Sequence, residues 1–275
     1  SNLSATGATV NAGTLQLGAG GSTGGLGGLV TVNGAGRVQL NRGNLYSVTA
    51  QFAGSGVVEQ FSAGSTSLGA SSAAFGGTWL LSAGTLMLGN VQALGGGSVQ
   101  FAGGSLAFAP GIVSDVSARI LPLGGTGAVA TVDTGANTVV FASGLSGTGG
   151  LWKAGSGLLV LSGSNSFTAP LVVGAGSVQV GSGSSGGSLA ANVQNSGWLV
   201  LNRADAFTYA GALSGSGSLE QRGGGVASLG NPTNAIGGGV VLSAGTLELG
   251  VAGALGGGGS LFFNGGALRW GAGVN

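Results

Sequence analysis

Residues Leu145–Gly181 read LSGTGGLWKAGSGLLVLSGSNSFTAPLVVGAGSVQVG. The closing phrase, GAGSVQVG from Gly174, returns in altered form as NAGTLQLG from Asn11, SAGTLMLG from Ser82 and SAGTLELG from Ser243. When the four are aligned, Leu15, Leu86, Val178 and Leu247 are apolar, as are Leu17, Leu88, Val180 and Leu249. Gln16, Met87, Gln179 and Glu248 stand between them. A period of two with apolar flanks predicts a strand with one buried face, its centre pointing outward. The bracketing glycines permit the tight corners and positive φ that a chain needs to turn into the next strand.

Successive phrases are unevenly spaced, but alternate copies are not: Asn11 to Gly174 and Ser82 to Ser243 are nearly equal steps. Leu40-Asn41-Arg42 returns as Leu201-Asn202-Arg203, and Glu59-Gln60 as Glu220-Gln221, both at that same step. The segment from Ser82 likewise matches the one from Ser243, with one Gly inserted. The chain therefore holds about one and two-thirds copies of a duplicated unit of about 161 residues. Inside it, a shorter module leads into the phrase at 52–89, 145–181 and 213–250. Self-similarity of this kind predicts a solenoid. A tandem pair of β-sandwiches would carry a polar or Pro-bearing boundary between the copies, and none is present.

The 145–181 module resembles the passenger-associated transport repeat of Gram-negative autotransporters. That pattern has a Gly-x-Gly turn, Leu-x-Lys, Gly-x-Gly, Leu-x-Leu-x-Gly-x-Asn-x-aromatic, then Ala-Gly-Thr-Leu-x-Val-Gly. Gly147, Leu151, Lys153, Gly155, Gly157, Leu159, Leu161, Gly163, Asn165 and Phe167 fall on it, as do Ala175, Gly176, Val178, Val180 and Gly181. The other two modules are looser, with Gln60 and Gln221 in place of Lys153. The expectation is an all-β chain, a right-handed parallel β-helix (β-solenoid) running through 1–275 as one continuous segment of a longer protein. At roughly 20–25 residues per coil this makes about a dozen coils and a rod on the order of 50–60 Å long. The resemblance implies a passenger exported through the periplasm and an outer-membrane β-barrel translocator to the surface of a Gram-negative bacterium.

Composition narrows the function classes. Glycine is 65 of 275 residues and charged residues only 5%, yet 43% are hydrophobic, so the chain has the apolar surface that disordered Gly/Ser-rich tracts lack. Collagen is excluded because the glycines keep no triplet and there are only 4 prolines. Cysteine and histidine are both absent, which removes disulfides, thiolate metal sites and Ser-His-Asp or Cys-His chemistry. A net charge of +1 offers no footprint for nucleic acid, and no apolar run is long enough for a membrane-spanning helix. The opening SNLSATGATV has neither a basic nor an apolar leader region, which suggests an internal segment of a precursor.

No catalytic, cofactor-binding or metal residue is assigned. Glu59, Asp115, Asp133, Asp205, Glu220 and Glu248 are scattered, and Glu59 and Glu220, equivalent in two modules, are expected to be solvated repeat positions. Trp152 stands where those two glutamates stand, Phe262 replaces Gln100, and Met87 occupies a Gln/Glu position. Such outward apolar side chains either mark a contact surface or pack under loops and flanking coils. Arg42 and Arg203 are expected at equivalent corners, capping backbone carbonyls; Trp79, Trp198 and Trp270 are left unplaced. The functional expectation is an elongated, non-enzymatic stalk for adhesion, autoaggregation or biofilm, through self-association or contact with host or abiotic surfaces. The alternatives are a segment of an extracellular filament or sheath, and a spacer presenting an enzyme domain located elsewhere.

Overall fold

A computed structural model describes residues 7–124, 129–257 and 259–274. They form two compact units, residues 1–135 and 136–275, each a stack of short parallel strands joined by glycine-rich corners. In the first unit, one sheet stacks Gly7–Leu17, Leu29–Leu40, Val57–Gln60, Thr78–Leu81 and Ser98–Phe101. Leu29–Leu40 turns a corner, because its first part pairs with Gln51–Ala53 and its last part with Val57–Gln60. A second sheet stacks Leu45–Val48, Ser65–Leu68, Thr85–Leu88, Ser105–Phe108 and Ala130–Asp133.

The second unit has three faces, visited in cyclic order. One stacks Leu151–Ala154, Leu171–Val173, Val193–Asn195, Leu213–Gly215 and Ala235–Ile236. The next stacks Thr138–Phe141, Leu158–Leu161, Ser177–Val180, Trp198–Leu201, Ser218–Gln221, Val240–Leu242 and Leu261–Phe263. The third holds Phe207–Tyr209, Val226–Leu229, Thr246–Leu249 and Ala267–Trp270, with Ser164–Asn165 and Ser188–Leu189 as a shorter pair. On the seven-stranded face Leu159 pairs with Val178, Val178 with Leu199 and Leu199 with Leu219, steps that put the coil at the short end of the expected range. The fold is thus the parallel β-solenoid that the repeats predict.

Inward columns make the core. Leu159, Val178, Leu199, Leu219 and Val240 stack one above another, all buried. Each contributes about 1.5–3 kcal/mol of apolar burial relative to exposure. Leu86, Leu88, Val180, Leu247 and Leu17 point inward as expected, while Leu15 and Leu249 are only half-buried. In the first unit Trp79 is a core residue, not a surface one. It meets Phe52 and Phe75 edge-on at centroid distances of 5.3 and 4.9 Å, and its indole N–H donates to the Leu94 carbonyl at 3.1 Å.

The module acquires a physical meaning here. Its Leu-x-Leu strand and its phrase strand lie on the same face, one coil apart, and pair directly. This holds for Ser65–Leu68 with Thr85–Leu88, Leu158–Leu161 with Ser177–Val180, and Val226–Leu229 with Thr246–Leu249. Within the second unit the two modules occupy different faces, so the motif specifies a stacked pair of rungs and not one side of the coil.

The phrase glycine is demanded by that stacking. Gly84, Gly176 and Gly245 have φ of +58°, +63° and +56°, and a Cβ there would lie 2.2, 2.4 and 2.3 Å from the carbonyl oxygens of Gly64, Gly157 and Gly223 one coil below. Gly13 has φ +71° but nothing within 4 Å of its would-be Cβ. Both Gly176→Ala and Gly13→Ala carry the backbone strain of about 1–3 kcal/mol. Only Gly176→Ala also forces two coils apart, so denaturant melts should show the larger loss for Gly176→Ala; equal losses would refute the close-approach account.

Candidate functional site

The six carboxylates are held apart, each by its own partner. Glu59 is 4% exposed and Glu220 7%, so these are not the solvated positions the repeat suggests. Their side chains do point outward, but neighbours close over them. Glu59 accepts from Arg37 at 2.9 Å, Gln39 at 2.8 Å and the Ser82 hydroxyl at 2.5 Å. Glu220 accepts from Arg222 Nε and Nη2 at 3.0 and 2.7 Å and from the Ser243 hydroxyl at 2.8 Å. Ser82 and Ser243 open the phrase in their modules, so a Glu–Ser pair joins adjacent coils at the same place in both. Burial alone would raise the Glu220 carboxyl; hydrogen bonds from Arg222 and Ser243 with the Arg222 charge outweigh it and hold the group below the ordinary range. Gln179, another outward position, is buried against this network, its amide donating to the Gly181 carbonyl at 2.8 Å and its oxygen lying 3.5 Å from Arg222.

Elsewhere, Glu248 pairs with Arg269 and Asp205 with Arg203, the latter at 2.7 Å. Hydrogen bonds from these arginines hold both carboxyls below their usual values. Asp115 and Asp133 accept from the backbone N–H of Ser117 and Gly135. Among the described residues no three His, Cys, Asp or Glu side chains gather where they could hold a metal ion.

Two further module positions are internal staples. Lys153 is fully buried and its ammonium donates to the carbonyls of Ala154, Gly155 and, one coil on, Ala175 at 2.8, 2.8 and 3.3 Å. Gln60 and Gln221 do the same work with an amide, donating to Ser62 and Gly64 and to Gly223 and Gly225. Their side-chain oxygens have no partner, which the ammonium avoids. Asn165 and Asn234 each span three coils, accepting from Leu145 N–H and Leu213 N–H below and donating to Ser188 and Ala254 carbonyls above. Ser72 takes that place in the first module, accepting from Phe52 N–H at 3.1 Å.

Arg42 and Arg203 cap carbonyls at equivalent corners. Arg42 donates to Gly24 at 2.7 Å and to Ser22, with its guanidinium 4.3 Å over the Tyr46 ring; Arg203 donates to Gly187 at 2.5 Å and sits 4.9 Å over Phe207. Each holds a loop with three left-handed glycines, Gly18, Gly20 and Gly24 in one and Gly181, Gly183 and Gly187 in the other. The two glycine sets recur in step with the duplicated unit, a signal open to sequence reading, as was the Ser82/Ser243 equivalence.

The outward apolar residues are uncovered. Trp152 is 45% exposed between inward Leu151 and Lys153, so it does not pack under a loop, and Phe262 is exposed on the last strand of its face. Trp198 is also exposed and Met87 is half-buried, while Trp270 continues the inward column of Leu229 and Leu249 and is exposed on the last strand of its face.

Residues 151–180 and 219–249 match the family model of the passenger-associated-transport-repeat. The first module falls outside the matched residues although it is built in the same way. The chain is 39% identical over 103 residues to the adhesin BmaC autotransporter of Brucella suis biovar 1 (strain 1330). That similarity spans 36% of this chain and 3% of the relative's length. No solved structure matches. The repeats, this relative and the stacked parallel coils together support an autotransporter passenger β-helix.

Removing the buried donor in Lys153→Ala should cost about 2–3 kcal/mol by leaving turn carbonyls unpaired, whereas Lys153→Gln should cost about 1 kcal/mol because Gln60 and Gln221 show that an amide reaches them. Equilibrium urea melts of both variants check this. Since the Glu220 carboxyl is lowered in the folded chain, its contribution is present above its ordinary value of 4.5 and lost as pH falls through the folded value. Glu220→Gln should therefore be less stable at neutral pH and lose less stability on acidification than the unsubstituted chain, as thermal melts across pH would report.

Proposed function

We propose that these residues, as one continuous solenoid over 1–275, serve a secreted, surface-exposed passenger as an elongated stalk for adhesion or autoaggregation. The observation that carries this reading is the distribution of polar chemistry. Among the described residues the exposed charged side chains, Arg119 excepted, are paired two residues or one coil apart or bonded to backbone groups of turns, so the outward surface is locally close to neutral and carries exposed Trp152, Trp198 and Phe61. Repeated neutral surface suits many weak contacts summed along a length better than it suits one reactive centre. The relative's name as an adhesin autotransporter supports the same role, a non-enzymatic one, and implies export to a Gram-negative cell surface by an outer-membrane β-barrel translocator.

Deleting the segment in frame from its parent should leave surface display intact, measured by antibody labelling of a flanking tag, and reduce cell aggregation or attachment in a settling assay. Retention of full aggregation and attachment would refute the adhesive stalk.

A further inference from the structure

The Glu–Ser pair that closes the outward face in two modules is exchanged in the third. Where the first and last modules carry Glu59 with Ser82 and Glu220 with Ser243, the 145–181 module carries Trp152 with Gly174. The exchange is a matched one. The Trp152 indole lies over Gly174, and a Cβ at 174 would stand 2.6 Å from its Nε1, so the serine of the sister modules could not coexist with the tryptophan in this pose. In the closed form the outward group is nearly buried and hydrogen-bonded within the chain; in the open form a large ring is left 45% exposed.

On the side of the following coils the ring stands beside uncharged residues. Its outward neighbours up the face are Val172, Gln194 and Ser214. The deficit of charge extends over the described residues. Of 13 charged side chains, eight are in ion pairs, Arg42 and Lys153 donate to carbonyls, and Asp115 and Asp133 accept from backbone N–H groups, which leaves Arg119. A chain of net charge +1 with so few uncommitted charges has little repulsion to keep copies of itself apart.

We infer that the Trp152–Gly174 exchange opens a contact patch on which a second copy of this chain docks through the indole. This rests on the reading of the segment as a contact-making stalk and names the residue and partner. The pair at 152 and 174 sets whether a module presents closed or adhesive surface.

Sedimentation velocity over a concentration series tests it, comparing the 275-residue chain with the Trp152→Glu/Gly174→Ser double variant, which installs the pair of the sister modules. The unsubstituted chain should self-associate, and the variant should raise the dissociation constant about tenfold or more with an unchanged circular dichroism spectrum. Raising salt from about 0.1 to about 0.5 M should not weaken the association. If the double variant fails to fold, Trp152→Ser on the native Gly174 gives the same comparison. An unchanged dissociation constant, salt-sensitive association, or a monomer that instead binds neutral polysaccharide or lipid vesicles through Trp152 overturns the inference. A monomeric chain whose deletion still abolishes cell attachment would sink the docking patch and leave the stalk standing; the converse result would do the reverse.

Discussion

Parallel stacking of short coils brings each corner against the corner below, and the carbonyls of those corners must find donors there. A parallel ladder satisfies strands through their neighbours, but turns have no ladder of their own. The buried polar side chains of this chain answer that need. Lys153, Gln60 and Gln221 fill the turn after one strand, Asn165 and Asn234 bridge from the coil below to the coil above, and Arg42 and Arg203 hold the glycine loops. Glycine is the other half of the solution, because at Gly176 or Gly245 the coil below comes too close for any side chain.

From this follows the unusual electrostatics. Charge is used inside the chain, in short pairs between residues two apart or one coil apart, so it stabilises local stacking and leaves little field outside. The Arg37–Glu59 and Arg269–Glu248 pairs couple only neighbouring coils, and stability in such a stack is close to a sum of nearest-neighbour terms. Glu59 and Glu220 illustrate it: an outward carboxylate, which would be a solvated residue on an ordinary sheet, becomes a buried tie once the next coil supplies a serine.

Much of the architecture was legible in the sequence because solenoid geometry repeats. Period-two alternation at Leu86, Val178 and Leu247 and their flanking glycines gave strand, inward face and corner together. The arginine corners were legible through the Leu-Asn-Arg recurrence. What was hidden depended on contacts within a corner or with coils one or two away, at sequence separations that alternation does not encode. The burial of Glu59 needed Ser82, that of Gln179 needed Arg222, and the core position of Trp79 needed Phe52 and Phe75. Nor could spacing reveal that modules 145–181 and 213–250 sit on different faces, since the face depends on the accumulated length of the corners between them.

That shift of face bears on function. A motif bound to one side of the coil would build a single continuous stripe, the arrangement suited to one elongated ligand. Here the position filled by Trp152 and the position filled by Glu220 belong to different sheets of the same unit, although they are equivalent within the module. Variation at that place therefore alters different sides of the solenoid without disturbing the staples beneath, because Lys153 and Gln221 point inward whatever their outward neighbour is. Interior and surface are separable at the level of adjacent residues in one strand: the inward residue answers to the coil below, and the outward one is released to answer to whatever lies outside.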